Sequence, residues 1–129
     1  MEWTPDLAVG VEPIDEQHKE LIRRIDNFYK SVQKDDREKV LEMLAFMSDY
    51  VTTHFREEEA LQRKYNYPEY AAHCQLHLTF EKDVHQLEED IKKNFTVATK
   101  SLVGMTLMNW FMLHIQRVDK KLGEFIRGV

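Results

Sequence analysis

A chain of 129 residues is long enough to bury one hydrophobic core and too short for two, so a single domain over 1–129 is expected. Four glycines and three prolines beside 43% hydrophobic and 32% charged residues leave little turn-forming material, which favours a few long helices. With 18 basic against 23 acidic residues, a formal net charge of -5, the chain lacks the basic stripe that nucleic-acid binding requires, and no apolar run reaches membrane-spanning length. Cys74 is the one cysteine, which excludes an internal disulfide and suits a reducing compartment. The N-terminus lacks the charged-then-apolar pattern of a secretory leader, so a cytoplasmic location is expected.

Residues 1–14 carry Pro5, Gly10 and Pro13 and are predicted to form an extended arm, pinned by Trp3, Leu7, Val9 and Val11. Asp15 reads as the N-cap of a first helix over 15–34, whose Leu21, Ile22, Ile25 and Phe28 recur at helical spacing. Lys34-Asp35-Asp36 is a polar turn, and Asp35 with Glu38 spells a capping box. A second helix over 37–64 follows, with Val40, Leu41, Leu44, Met47 and Val51 on its apolar side. Asn66 and Pro68 mark a break, because Asn tolerates the left-handed conformation and Pro suits a first helical turn. The third helix is predicted over 68–93, with Leu76, Phe80, Val84, Leu87 and Ile91 as its apolar positions. A loop spans 94–100. The fourth helix covers 101–127, with Leu102, Leu107, Trp110, Phe111, Ile115, Val118, Leu122 and Phe125. The fold class is therefore all-α: an up-down-up-down antiparallel four-helix bundle over 15–127 with an extended N-terminal arm.

Five of the six histidines and two carboxylates fall in four clusters: His18; His54 with Glu58; His73 with His77; His114 with Asp119. In an antiparallel bundle the start of the first helix, the end of the second, the start of the third and the later part of the fourth share one end. The clusters thus converge in space although they are scattered in sequence. His54/Glu58 and His73/His77 are four apart, so each pair stacks on one helix face. His114 and Asp119 are five apart, about 140° around an α-helix at ~100° per residue. That pair works only if the metals lie between the two directions or the helix is locally loosened. Imidazole suits iron, zinc and copper, and carboxylate oxygens bridge highly charged ions well. Seven such groups exceed what one metal needs. On an assumed octahedral geometry for two ions, five imidazoles, two bridging carboxylates and one shared oxygen together leave one position open for a small ligand such as dioxygen.

These residues lie in a pattern that resembles the hemerythrin family, its bacterial single-domain members most closely. The resemblance covers nearly the whole chain: Trp3, Ile14-Asp15-Glu16-Gln17-His18-Lys19, His54-Phe55-Arg56-Glu57-Glu58, Tyr67-Pro68, His73-Cys74-Gln75-Leu76-His77, Trp110, and His114-Ile115-Gln116-Arg117-Val118-Asp119-Lys120. It implies a cofactor of two non-haem iron ions, joined by an oxo or hydroxo group. His73, His77 and His114 would hold one iron, His18 and His54 the other, with Glu58 and Asp119 bridging. It further implies that dioxygen binds at the two-histidine iron. Reversible binding needs a dry pocket, and Leu21, Phe55, Phe80, Trp110 and Ile115, within a turn of the ligands, are the candidate walls. Many relatives carry Tyr three residues after the bridging Asp, where this chain has Leu122.

The leading expectation is a non-enzymatic protein that binds dioxygen for storage, transport or delivery, with dioxygen as its ligand and an oxygen-consuming protein as its partner. Oxygen or redox sensing is the alternative, and with no output domain in these 129 residues it would need a separate signalling partner. A di-iron enzyme acting on nitric oxide or peroxide ranks third. Ferritin-like oxidases rely on Glu-rich sites with Glu-x-x-His pairs, and such pairs are absent at these ligand positions. A lone zinc pair at His73/His77 is the plainer reading of those two histidines, but zinc seldom needs seven ligands. His85, about 12 Å along the helix from His77 at ~1.5 Å per residue, reads as a surface or structural residue. Cys74 points about 100° away from its ligand neighbour and reads as a buried, inert thiol. Met43, Met47, Met105, Met108 and Met112 read as core filler, and runs such as Arg56-Glu57 and Glu88-Glu89-Asp90 as solvated faces.

Overall fold

The computed structural model describes residues 3–32 and 36–128. Among these the chain is all-helical: a 3-10 turn at Pro5–Leu7, then α1 (Glu12–Val32), α2 (Arg37–Lys64), α3 (Tyr70–Lys93) and α4 (Val97–Leu113). A π-helical segment at His114–Asp119 leads directly into α5 (Lys120–Arg127), so the last three form one continuous rod. Helix α1 packs on α2 and α4, and α3 packs on α2 and α4. That closes a ring of four antiparallel neighbours, as short connections demand.

The element boundaries differ from expectation where side chains reach back onto the backbone. Helix α1 starts at Glu12, three residues before Asp15. Asp15 does not cap the helix start. Its carboxylate accepts from the Val9 and Gly10 N–H groups at 2.7 and 3.2 Å, tying the arm to the first turn. Pro13 fits there because first-turn N–H groups have no helical partner. Gly10 sits at φ 85, a conformation that favours glycine. The predicted end of α1 at 34 and the Asp35 capping box lie outside the described residues. The N-cap of α2 is Asp36, which accepts from the Lys39 N–H at 3.1 Å. Helix α2 keeps its expected bounds, and Asn66 adopts φ 55 as its position predicts. Pro68 lies in the turn before α3, which begins at Tyr70 rather than 68. The loop after α3 is shorter than 94–100, because Thr96 and Thr99 cap each other reciprocally and start α4 at Val97.

Phe28, Val40, Leu44, Met47, Val84, Leu87, Ile91, Val103, Leu107 and Phe111 fill the core. Each large side chain buried there contributes roughly 1.5–3 kcal/mol. Leu76, Leu102 and Met105 were expected inside but are 42%, 51% and 63% exposed, so α4 in particular presents an apolar outer face. A smaller cluster of Val9, Ile14, Tyr67 and Leu122 seats the arm. Gly123 permits that seat, since a Cβ there would lie 2.1 Å from the Val9 carbonyl oxygen. The arm therefore closes over the end of the bundle where the four clusters meet.

Candidate metal centre

His18 projects from the second turn of α1, His54 and Glu58 from the second half of α2, His73 and His77 from the first three turns of α3, and His114 and Asp119 from the two ends of the π segment. All seven are buried, at most 5% exposed. The π segment resolves the awkward five-residue spacing. Its wider i→i+5 turn brings His114 Nε2 within 3.0 Å of Asp119 Oδ1. The helix is locally loosened where the spacing requires it.

Each of the five clustered histidines turns Nε2 inward, and the two carboxylates divide their oxygens between two groups. Glu58 Oε1 lies 2.9 Å from His73 Nε2 and 3.3 Å from His77 Nε2. Asp119 Oδ1 lies 3.1 Å from His73 Nε2. On the other side, Glu58 Oε2 is 3.4 Å from His54 Nε2, and Asp119 Oδ2 is 3.0 Å from His18 Nε2. Two overlapping sets result: Glu58, His73, His77, His114 and Asp119, and His18, His54, Glu58 and Asp119. Within each, the donor atoms lie within 4.8 Å of one another. Both carboxylates belong to both sets, which is the arrangement of bridging ligands.

The donor set fits metal better than it fits itself. Both Glu58 oxygens, Asp119 Oδ1 and His18 Nε2 are buried without a well-formed hydrogen bond, despite neighbours near 3 Å. Such atoms are costly unless something else satisfies them. His114 Nε2 stands 3.1 Å from His73 Nε2 and 3.2 Å from His77 Nε2, so several lone pairs crowd one point. Without metal, protons must neutralise the cluster. Burial and the Asp119 charge push the Glu58 carboxyl up, but contacts from His54, His73 and His77 outweigh them and hold it well below the usual carboxylate range. Burial likewise opposes ionisation of Asp119, whose carboxyl is held well below its usual value by His114, His18 and His73. Burial lowers the His73 pKa, yet Asp119 and Glu58 override it and raise it to about 9.

Two imidazoles are oriented from behind. His54 Nδ1 lies 2.5 Å from Gln17 Oε1, whose amide nitrogen donates to Glu57. His77 Nδ1 lies 2.8 Å from Glu59 Oε2, and Arg56 donates to Glu59 Oε1 at 2.6 Å. In each case the acceptor fixes the proton on Nδ1 and frees Nε2 for a metal. Sequence reasoning missed Gln17 and Glu59; Arg56 and Glu57 are exposed, as expected of a solvated face, yet they anchor Glu59 and Gln17. Glu59 is only 5% exposed, but nothing in its spacing separates it from the surface acids beside it.

Of the five candidate wall residues, Leu21, Phe55, Phe80 and Ile115 are completely buried, and Trp110 is half-buried. Phe55 stacks parallel to the His77 ring at 3.8 Å, and Trp110 stacks on His114 at 4.2 Å and on Phe80 at 4.0 Å. Outer grooves of about 190 Å³ reach His73 and His114. Leu122 packs in the apolar cluster under the arm, and the nearby Tyr67 hydroxyl donates to Glu69 at 3.3 Å rather than to the buried carboxylates. His85 is exposed. Cys74 is half-buried, its thiol pKa pushed up by burial.

An antiparallel helical bundle with a buried His/Glu/Asp cluster at one end defines a metal-binding helical protein. The family model for the hemerythrin HHE cation binding domain matches residues 9–126, and the chain belongs to the hemerythrin family. It is 26% identical over 126 residues to a bacteriohemerythrin of Stenotrophomonas maltophilia (98% of this chain, 81% of that one). A bacteriohemerythrin of Methylococcus capsulatus is 26% identical, with 95% and 94% covered. A hemerythrin-like protein of Naegleria gruberi is 27% identical, with 92% and 87% covered. The crystal structure of a wild-type hemerythrin superposes with a TM-score of 0.85 at 25% identity, covering 98% of this chain and 97% of that one.

Proposed function

We propose that the cluster holds two iron ions and that the protein binds dioxygen reversibly, for storage, transport or delivery to an oxygen-consuming partner. The observation that carries this reading is the split of both carboxylates between a three-histidine and a two-histidine group. His73, His77 and His114 would serve one ion, His18 and His54 the other, with Glu58 and Asp119 spanning them. The two-histidine side has one protein ligand fewer and so is the side with room for a gas molecule. When bound, a ferrous pair supplies electrons to dioxygen that can be returned on release. The chain's own residues set the conditions for that reversibility. Glu58 and Asp119 fix the spacing of the two sets, and Gln17 and Glu59 aim His54 and His77. Phe55, Phe80 and Trp110 keep water and protons from the interior.

The donor set also supports a carrier over an oxidase. Five neutral imidazoles and two carboxylates put less negative charge on the ions than the Glu-rich sites of ferritin-like oxidases, which disfavours strongly oxidising states. Among the described residues no helix is long and apolar enough to cross a membrane, and the cytoplasm is the proposed location. The test is an anaerobic optical titration of the iron-loaded, reduced protein. Admitting dioxygen should produce a visible charge-transfer band that fades under vacuum through repeated cycles. A band that never fades, or steady consumption of dioxygen, nitric oxide or peroxide, would overturn the carrier reading.

A further inference from the structure

The five inward-facing imidazoles are not supported alike. His54 rests on a neutral amide, because Gln17 Oε1 accepts from its Nδ1–H and Glu57 fixes which way that amide points. His77 rests on a carboxylate, Glu59, at 2.8 Å. His18 Nδ1 and His73 Nδ1 are buried without a partner. The carboxylate behind His77 is itself anchored. Arg56 Nη1 donates to Glu59 Oε1 at 2.6 Å while Arg56 Nη2 donates to Glu81 at 2.6 Å. Glu59 therefore cannot swing inward to compete with its neighbour Glu58 as a ligand. Phe55 lies flat on the same imidazole, at 3.8 Å with an interplanar angle of 1°. The ring is thus clamped on its face and at its outer nitrogen.

Resting on the di-iron reading above, we propose that Glu59, held by Arg56, is a positioning residue that makes the two halves of the centre electronically unequal, with the three-histidine half biased toward the higher metal charge. The physical reason is direct. A carboxylate that accepts the outer N–H of a ligating imidazole draws that proton toward itself and makes the inner nitrogen a stronger donor. A neutral amide does so far less. Both acceptors sit at the edge of a dry interior, where such a charge is screened less than on the surface. Glu59 thereby favours loss of an electron from the half that includes His77, and Gln17 leaves the half that includes His54 less stabilised when oxidised.

Glu59→Gln keeps the size and the acceptor oxygen while removing the charge. Its iron-loaded form should retain two irons per chain. At a fixed potential, its ratio of reduced to oxidised iron should rise about 10- to 100-fold at one of the two irons, the order of effect typical of such outer partners. That is a positive shift of roughly 60–120 mV at ~59 mV per decade for one electron. Spectroelectrochemistry reads this without dioxygen. The second readout is the His77 Nδ1–H proton resonance in the zinc-loaded protein, which should move upfield in the variant. Glu81→Gln, which removes the far partner of Arg56 and touches no histidine, is the control and should move neither readout by more than a small fraction of this. An unchanged potential and an unchanged His77 resonance in Glu59→Gln, whatever its loss of thermal stability, would overturn the proposal by making Glu59 a structural ion pair. If the variant fails to hold iron, the zinc-loaded resonance decides alone. A wild-type protein that holds two irons yet takes up no gas, with the potential still shifted in Glu59→Gln, would sink the carrier reading while supporting this one.

Discussion

Phe55→Ala tests the core and the candidate centre together. The ring is fully buried, stacked on His77 at 3.8 Å and within 6.0 Å of Phe80 and 5.7 Å of Trp110, centroid to centroid. Truncating a large aromatic at such a site removes the transfer energy of the ring and leaves a cavity, costing about 3–5 kcal/mol. Unfolding entropy of about 2.1 cal/mol/K per residue over 129 residues comes to roughly 0.27 kcal/mol/K. The metal-free variant should therefore melt about 11–18 °C below its parent. Phe55→Leu, which keeps much of the volume, should cost roughly 1–2 kcal/mol and is the form in which to examine the site. With the flat face of His77 uncovered and water closer to the interior, its dioxygen-dependent band should bleach irreversibly several times faster than in the parent. Calorimetry of the metal-free proteins and timed spectra of the iron-loaded ones supply both readouts. Melting of Phe55→Ala within about 3 °C of the parent would refute the packing argument, and an unaltered bleaching rate in Phe55→Leu would refute the role of the ring as a wall.

His77→Ala should drop iron below two per chain by metal analysis, whereas His85→Ala should leave it unchanged; equal losses would contradict the assignment. In the metal-free protein, His73 has its pKa raised from 6.5 to about 9. Its contribution to stability is therefore full below about pH 6.5 and lost as pH rises through 9. Denaturant midpoints should fall between pH 6.5 and 9.5 without metal and fall less with it, and adding ferrous ion near neutral pH should release a proton that a pH-stat can count. Gly123→Ala would place a Cβ 2.1 Å from the Val9 carbonyl, forcing the arm from its seat. A loss of about 1–3 kcal/mol and faster proteolysis near Gly10 are expected, and a protein as resistant as the parent would contradict the close approach.

The helical layout was legible because its signals are periodic: apolar residues at spacings of three and four, with Asn66 and Pro68 as punctuation. The convergence of His18, His54, Glu58, His73, His77, His114 and Asp119 followed from topology alone. Even the π segment was foreshadowed, since a five-residue spacing cannot put His114 and Asp119 on one face of a regular α-helix. The departures have a common origin in side chains that serve backbone groups. Asp15 reaches back to Val9 and Gly10 instead of capping a helix. Thr99 takes the place that Glu or Gln usually holds in a capping box, which hid the first turn of α4. Gln17 and Glu59 escaped notice because supporting a ligand from behind requires only one well-placed acceptor, and one acceptor carries no period. The outward turn of Leu76 on α3 and of Leu102 and Met105 on α4 depends on how far each helix is covered by its neighbours, which apolar spacing does not encode.

Seven buried side chains, drawn from four stretches of helix, are proposed to hold a pair of irons in unequal halves. Metal analysis of protein reconstituted anaerobically with ferrous ion, combined with Mössbauer spectra of the oxidised form, addresses this proposal most directly. Two irons per chain, giving two coupled, distinguishable ferric environments, are expected. A single iron, or one tightly held zinc that iron does not displace, would contradict it.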